Sequence, residues 1–186
     1  MNVNDAINGR RALRNLDAVP LSKNDLEQLE HAVRLAPSCF NNQPWHYVFV
    51  TDENKRKEMQ TVLSKGNEWA HYASMYIAVC ARKEDDCVIY DREYYLFDAG
   101  IATGFLILQA TELGFIAHPI AGYSPKKARK VLNILDDMQV IALVVIGKKR
   151  ANLRSELSEK QREAEKNRPE RKPIEEVINY NQYREG

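Results

Sequence analysis

The segment from residue 37 to residue 45 carries the side chains that are best suited to chemistry in this chain. It reads Pro-Ser-Cys-Phe-Asn-Asn-Gln-Pro-Trp, and its second proline moves the preceding Gln43 out of the α region. We therefore expect an extended, shaped loop instead of a continued helix. Its short hydroxyl and amide groups can present donors and acceptors to a flat polar edge, while Phe40 or Trp45 covers a face. The same composition also fits a polar surface loop that Trp45 anchors.

A second candidate is the group of three arginines near the N-terminus, Arg10, Arg11 and Arg14. Guanidinium groups this close repel one another unless water or anions neutralise them, and their planar donor forks match the geometry of phosphate. A short helix over residues 3–9 would deliver these side chains. A phosphate site and a solvated basic turn both fit this spacing.

Periodic patterns around these segments predict an alternation of helices and strands. Ser22 and Asp25 have the spacing of a capping box at the start of a helix, and Ser124 followed by Pro125 marks another helix start. Residues 82–93 are predicted to be a charged connector and 115–122 a loop. Helices are predicted over 3–9, 22–36, 53–63, 94–113 and 124–133, and strands over 46–50, 73–81 and 140–147.

The longest predicted helix, residues 94–113, is apolar nearly all round, which is typical of a helix buried on every side. Gly100 and Gly104 each cost roughly 1 kcal/mol relative to alanine in a helix, so we expect them to permit close backbone approach. In a protein of this size, burial on every side suggests a partner subunit.

Composition restricts the class of protein. The chain has 186 residues and 44% hydrophobic residues, enough for one domain with a real core. Its net charge of +1 argues against nucleic acid or a membrane surface as partner, and no apolar run approaches the roughly 20 residues of a membrane span. The N-terminus does not resemble a secretory signal. The three cysteines show no CxxC spacing, so we expect a reduced, cytoplasmic protein without disulfides.

Four segments resemble the nitroreductase family of FMN-dependent enzymes, and they occur in the order found in that family. Residues 37–45 resemble its Pro-Ser-x-x-Asn-x-Gln-Pro-Trp signature, and residues 10–14 resemble its Arg-Arg-Ser-x-Arg phosphate motif, with Ala12 in place of the usual serine. Residues 113–122 resemble its flavin-edge loop, where Ala121 stands in place of a common acidic residue. Residues 171–177 resemble its C-terminal basic segment.

The resemblance implies an α+β fold with a mostly antiparallel central sheet flanked by helices, in a single domain over residues 1–186. It also implies a homodimer with two FMN sites at its interface. Residues 148–172 hold ten Lys and Arg against five Asp and Glu, as in a solvated helical arm. Apolar residues follow in the tail, so we expect 148–186 to dock on the partner subunit.

The activity implied by the resemblance is an FMN-dependent oxidoreductase. It would take hydride from NADH or NADPH and reduce nitroaromatic, quinone or similar small acceptors by a ping-pong mechanism. A non-catalytic FMN-binding protein, a flavin sensor or carrier, is the alternative from another class. A nucleic-acid binder acting through residues 148–172 is disfavoured by the net charge, and Cys39 acting as a nucleophile with His118 is a further alternative.

Flavin chemistry needs few protein acids or bases, so the resemblance implies cofactor-binding residues, no catalytic residue and no metal. Arginines of the first motif and the basic segment would hold the phosphate, and the 37–43 loop would reach the flavin of the opposite subunit. Backbone N–H groups near Ala121 would address the ring. The implied cofactor-binding residues are Arg10, Arg11, Arg14, Pro37, Ser38, Cys39, Asn41, Gln43, Asn67, Pro119, Ile120, Ala121, Gly122, Arg171 and Lys172.

Overall fold

The computed structural model of the protein describes residues 1–184. Within this range the chain forms seven α-helices and seven β-strands. The helices are α1 (Val3–Gly9), α2 (Lys23–Arg34), α3 (Glu53–Gln60), α4 (Tyr94–Glu112), α5 (Pro125–Leu132), α6 (Glu159–Lys166) and α7 (Ile174–Val177). The strands are β1 (Leu16–Asp17), β2 (Trp45–Val50), β3 (Met75–Ala81), β4 (Val88–Ile89), β5 (Arg92–Glu93), β6 (Ile116–Ile120) and β7 (Gln139–Lys149). No helix of the described chain combines the length and apolar character needed to cross a membrane.

The central sheet is antiparallel throughout, and β7 is the strand that most others pair with. β1, β3 and β6 all pair with β7, and β2 pairs with β3 on the outside. β4 and β5 form a separate hairpin within the charged connector. The α+β fold with a mostly antiparallel sheet is therefore confirmed.

The two faces of the sheet are covered by different helices. Alternate residues of β3, such as Tyr76 and Ala78, join Met59, Trp69 and Tyr123 in one apolar cluster beside α3 and α5. The intervening residues of β3, such as Ile77, pack with residues of α2 and α4 in a second cluster. Burial of each large apolar side chain contributes roughly 1.5–3 kcal/mol, against about 0–1 kcal/mol for an exposed ion pair. The two clusters thus hold the sheet and its helices together.

Helix termini follow the signals in the sequence. Ser22 and Asp25 form the expected capping box at the start of α2, and Ser124 caps α5 with Pro125 in the first turn. α4 ends where Gly114 takes a φ of 72°, a left-handed conformation that glycine adopts without a steric cost. Lys148 Nζ donates to the Gly114 carbonyl at 3.0 Å. These predicted boundaries are confirmed to within a few residues.

α4 is buried on one side only in the single chain, so the expectation that a partner subunit completes its burial stays a prediction. Residues such as Ala102 and Leu106 are fully buried, whereas Phe97 is 63% exposed and Phe105 is 41% exposed. A Cβ atom added at Gly104 would have no neighbour within 4 Å. We refer to the uncovered side as the open face of α4, and it consists of Phe97, Gly100, Ile101, Gly104, Phe105 and Leu108.

The segment predicted as a loop over residues 115–122 contains a strand, so that prediction is wrong. Ile116 to Ile120 form β6, whose residues pair with Leu143 to Gly147 of β7. The sequence predicted a loop here because proline, at position 119, cannot donate a hydrogen bond to a neighbouring strand. In the described chain β6 pairs with β7 alone, and an edge strand tolerates proline.

The structure contains a disulfide between Cys39 and Cys87, which contradicts the expectation of a chain without disulfides. The two cysteines are 48 positions apart in the sequence, and their Cα atoms lie 6.2 Å apart. Their spacing gave no indication of the bond, because only the fold brings the 82–93 connector next to the 37–45 loop. Cys80 is free and buried, as predicted for a core residue.

The C-terminal region divides into a part that packs on its own chain and a part that does not. Leu157 is buried in the first apolar cluster, and Asn15 holds the preceding turn by donating to the carbonyls of Arg150 and Asn152 at 3.0 and 3.2 Å. Apolar residues of the following tail remain exposed, including Ile174 at 72% and Tyr180 at 82%. The tail therefore does not dock on its own chain, and its docking on a partner subunit stays a prediction.

Candidate functional site

The 37–45 loop is a tight, self-supporting turn. The backbone φ values of Phe40, Asn41 and Gln43 are 47°, 58° and 51°. These values lie in the left-handed region that residues other than glycine seldom adopt. Proline at position 44 thus moves Gln43 out of the right-handed α region as expected, although into a left-handed conformation instead of an extended one. Residues held in this region cost roughly 1–3 kcal/mol each and concentrate at functional sites.

Hydrogen bonds from several directions hold this turn. The Gln43 N–H donates to Ser38 Oγ at 2.9 Å, and Gln43 Nε2 donates to the Asn41 carbonyl at 3.1 Å. The Cys39 N–H donates to Asp98 Oδ2 on α4 at 2.6 Å. These bonds leave Phe40 86% exposed and Asn41 exposed. Of the two aromatics proposed to cover a ligand face, Phe40 is thus available, whereas Trp45 packs against the core.

The nucleophile alternative for Cys39 is wrong in this structure, because the Cys39 sulfur is bonded to Cys87. His118 has a structural partner of its own. Its Nδ1 lies 3.0 Å from the Leu13 carbonyl, which can only accept, so Nδ1 carries the proton and donates.

Arg10 lies in a cluster of like charges. Partial burial lowers the pKa of Arg10, and the nearby charges of Arg168 and Arg171 lower it further. Arg168 is anchored there, because its Nη2 donates to the Arg10 carbonyl at 2.9 Å and to the Asn8 carbonyl. No ion pair of the described residues involves any of these three arginines. We refer to Arg10, Arg168 and Arg171 as the basic cluster.

Two further residues of the predicted phosphate site have contacts within the chain. Arg11 Nη2 donates to the carbonyls of Ala164 and Asn167 at 2.6 and 2.8 Å, so it satisfies carbonyls at the C-terminus of α6. Lys172 is 72% exposed and pairs with Glu176 at 3.6 Å. Arg11 therefore positions α6, and the role of both residues as phosphate ligands stays a prediction.

Arg14, Asn67 and Gly122 come from distant segments and meet around Trp69. Arg14 Cζ lies 5.9 Å from the centre of the Trp69 ring, and Trp69 Nε1 donates to Asn67 Oδ1 at 3.1 Å. Asn67 Nδ2 donates to the Gly122 carbonyl at 2.8 Å. A Cβ atom at position 122 would lie 2.3 Å from Asn67 Nδ2, so the amide would have to move. The role of Gly122 in cofactor binding stays a prediction.

His118 lies under this group and is neutral. Its ring stacks on Trp69 with centroids 4.7 Å apart. Burial lowers the pKa of His118 to about 4, and the charges of Arg14 and Arg10 act in the same direction. His118 therefore links β6 to the arginine segment without adding a charge at neutral pH.

Two concavities on the protein surface contain predicted site residues, and both border the open face of α4. One, of about 640 Å³, is lined by Arg10 and Pro119 together with Gly104 and Phe105. The other, of about 380 Å³, is lined by Pro37, Ser38 and Cys39 together with Phe97, Asp98 and Ile101. Asp98 and Phe105 are separated by roughly 10 Å along the helix axis at 1.5 Å per residue. The two concavities are therefore centred at different positions along α4, and they adjoin at Ile101, which lines both.

The remaining flavin-edge residues differ in their exposure. Pro119 and Ala121 are exposed, whereas Ile120 is buried in the first apolar cluster. Sequence reasoning missed Arg168, Trp69, His118 and Asp98 as members or supports of these groups. Asp98 alone carried a signal, because it is a lone carboxylate within the apolar part of the 94–113 pattern.

Comparison with known proteins identifies the family. The model of the Nitroreductase family matches residues 7–70. A protein of Archaeoglobus fulgidus named as an NADH dehydrogenase/NAD(P)H nitroreductase is 32% identical over 143 residues, which cover 74% of this chain and 80% of the relative. The oxygen-insensitive NADPH nitroreductase of Helicobacter pylori is 23% identical over 194 residues, covering 85% of this chain and 90% of the relative. The chain belongs to the nitroreductase family, whose members named here are oxidoreductases.

Solved structures share the same fold. The crystal structure of an oxidoreductase containing FMN has a TM-score of 0.85 at 28% identity and covers 100% of this chain and 95% of its own. A nitroreductase from Exiguobacterium sibiricum in complex with FMN has a TM-score of 0.79 at 22% identity, with 97% of each chain covered. The nitroreductase-like fold expected from the sequence is thereby confirmed.

The neutral His118 generates a prediction about stability and pH. The unfolded chain binds a proton at the ordinary histidine pKa of 6.5, whereas the folded pKa is about 4, so the free energy of unfolding decreases as pH falls between these values. From pH 7 to pH 5 we expect His118 to account for a loss of about 1–2 kcal/mol. Denaturant titrations at both pH values measure this loss.

The matched variants are His118→Gln, which keeps a donor for the Leu13 carbonyl, and His31→Gln at an exposed site on α2. His118→Gln should lose less stability than the wild type on acidification. His31→Gln should lose as much as the wild type. An equal loss in the wild type and in His118→Gln would show that His118 does not govern this pH range.

Proposed function

We propose that the protein is an FMN-dependent oxidoreductase that uses NADH or NADPH to reduce nitroaromatic, quinone or similar small acceptors by a ping-pong mechanism. The nitroreductase names of its relatives and the FMN in two similar structures support this proposal. When bound, FMN supplies the redox chemistry, because it accepts a hydride from the reduced nicotinamide and passes electrons to the acceptor.

The basic cluster is the observation that carries the proposal. Arg168 donates to the Arg10 carbonyl at 2.9 Å, and partial burial together with the charges of Arg168 and Arg171 lowers the pKa of Arg10. Such an arrangement favours an anion with several oxygens, and arginine forks suit a phosphate group. The phosphate of FMN fits this requirement, with Arg10 and Arg171 as its ligands and Arg168 holding the Arg10 backbone.

The 37–45 loop and the Trp69 group would orient the rest of the cofactor. Ser38 and Asn41 offer polar groups on a loop that hydrogen bonds and left-handed residues hold in one shape. The Asn67 side chain donates a hydrogen bond to the Gly122 carbonyl, which holds the backbone near Ala121 close to Asn67. These groups bind, orient and exclude water, and none of them has to transfer a proton for our proposal to hold.

We further propose a homodimer in which each site draws on both chains. The open face of α4 is a continuous apolar surface, and Gly104 leaves room there for close approach by another backbone. Because the arginine and loop groups border different positions along α4, a two-fold partner can bring the loop of one chain to the arginines of the other. The exposed apolar tail, with Ile174 and Tyr180, would cover the partner. Dependence on NADH or NADPH, which are intracellular reductants, favours a cytoplasmic location.

Cofactor analysis and turnover test the proposed activity. We expect the purified protein to release FMN on denaturation and to oxidise NADH or NADPH only when an acceptor is present. Double-reciprocal plots at several acceptor concentrations should give parallel lines, as a ping-pong mechanism requires. Bound FMN without turnover would favour the alternative function, a non-catalytic flavin sensor or carrier. Failure to take up FMN from an excess would contradict the proposal.

The phosphate assignment predicts that Arg10→Ala and Arg171→Ala weaken FMN binding. A charge-assisted hydrogen bond contributes roughly 1.5–3 kcal/mol, which is about 10- to 150-fold in dissociation constant. Titration of the apoprotein with FMN and with riboflavin, which lacks the phosphate, measures the effect. Only FMN binding should weaken, and Arg34→Ala on the exposed side of α2 is the control. Equal effects on both flavins would place these arginines away from the phosphate.

The shared site predicts the behaviour of a mixed dimer of one Arg10→Ala chain and one Asn41→Ala chain. If phosphate and ring contacts come from different chains, one site carries both lesions and the other carries none. The mixed dimer should then keep one site of near wild-type affinity, while each mutant homodimer binds FMN weakly at both sites. Equal weakening of both sites in the mixed dimer would assign all contacts to one chain.

A further inference from the structure

A group of sulfur and carboxylate ligands lies beneath the 37–45 loop, apart from the basic cluster. Cys39, Asp86 and Cys87 each contribute one potential ligand atom, and these atoms all lie within 4.8 Å of one another. Cys39 belongs to the loop, and the other two belong to the 82–93 connector. The three residues are buried or half-buried.

One carboxylate oxygen of this group lacks a hydrogen-bond donor although its residue is buried. Asp86 is 9% exposed, and its Oδ1 accepts from Asn42 Nδ2 at 3.2 Å. Its Oδ2 accepts from no donor group among the described residues, and the Asp86 carboxyl lies within hydrogen-bond reach of the Asp98 carboxyl. A buried carboxylate oxygen without a donor is unfavourable, so this atom is suited to a proton or a cation.

The neighbouring Asp98 is a second buried acid at this point. Asp98 is 2% exposed, and its Oδ2 accepts the Cys39 N–H at 2.6 Å. Neither Asp86 nor Asp98 takes part in an ion pair within 4 Å in residues 1–184. The nearby Arg82 instead contacts Asp85 at 3.6 Å and Asp137 at 2.9 Å. The two buried acids thus have no basic residue to balance them.

We propose that, after reduction of the Cys39–Cys87 disulfide, the two thiolates and the Asp86 carboxylate bind a thiophilic divalent cation of the Zn²⁺ type. Thiolates and carboxylates are ligands that Zn²⁺ prefers, and three protein ligands leave one position of a tetrahedral site to water. Asn42 supports this arrangement, because its Nδ2 contacts both Asp86 Oδ1 at 3.2 Å and Cys87 Sγ at 3.4 Å. Asp98 acts as a positioning residue by accepting the Cys39 N–H.

The disulfide and the cation site are alternative states of the same two sulfurs. A dithiol reductant transfers two electrons and two protons to the disulfide, which breaks the S–S bond and leaves the reductant as a disulfide. Cation binding then releases the two thiol protons to solvent, because only thiolates are ligands. Either state ties the loop at Cys39 to the connector at Cys87.

Metal uptake by the untagged full-length protein, with its flavin in place, tests this proposal. The protein is reduced with a phosphine, freed of reductant and dialysed against Zn²⁺, and bound metal is measured by mass spectrometry. Co²⁺ serves as the spectroscopic probe, because its tetrahedral sites absorb at the red end of the visible spectrum, beyond flavin. We expect one metal ion per chain in the reduced protein and none in the oxidised protein.

Single variants identify the ligands. Cys39→Ser and Cys87→Ser should abolish the absorption bands of tetrahedral Co²⁺ at the red end of the visible spectrum. Asp86→Asn should weaken Zn²⁺ binding about tenfold or more. Asp85→Asn, at the adjacent acid that pairs with Arg82, is the matched control and should bind normally. The oxidised wild type is a folded reference that lacks only the thiolates, so the comparison does not depend on how the variants fold.

Three results would overturn the proposal. They are equal metal uptake by reduced and oxidised protein, Co²⁺ uptake without tetrahedral bands, and Zn²⁺ affinity that Asp86→Asn leaves unchanged. FMN content is measured on the same samples. Because the proposed ligands are distinct from the basic cluster, loss of metal binding with intact FMN content would reject the cation site alone.

Discussion

The pairing of β7 with three other strands is the constraint on which the rest of the structure depends. Its residues from Leu143 to Ile146 are fully buried, and β1, β3 and β6 are each held against it in a defined register. A slip of one residue would move every side chain of the slipped strand to the wrong face. The register therefore also fixes the ends of the strands, so that His118 on β6 meets Leu13 just before β1.

Unbalanced charge marks both places where we propose a ligand. A net charge of +1 conceals this imbalance, because three arginines gather at the basic cluster while Asp86 and Asp98 are buried near the disulfide. Other charges in the described chain are paired, as Asp17 is with Arg150 and Arg154. Burying a charge without a partner is costly, and this cost applies to the buried acids, whereas Arg168 and Arg171 are exposed.

Local patterns predicted the elements, and distant contacts decided what could not be predicted. The capping box at Ser22 and the left-handed Gly114 depend on neighbouring residues, and both were predictable. β6 was not, because its pairing with β7 overrides the local signal of Pro119. The resemblance identified the loop and arginine segments. It did not identify the Cys39–Cys87 bond or the contacts of Arg168, since each joins segments that only the folded chain brings together.

The open face of α4 also has a consequence for the synthesis and folding of the protein. A chain that has just folded exposes Phe97 and Phe105 beside two helical glycines, and exposed apolar surface of this kind is prone to aggregation. In the homodimer that we propose, covering this surface is a bimolecular step, whose rate rises with the concentration of chains, whereas the folding of the sheet is unimolecular. Expression level and synthesis rate would then determine how long each chain spends with this surface uncovered.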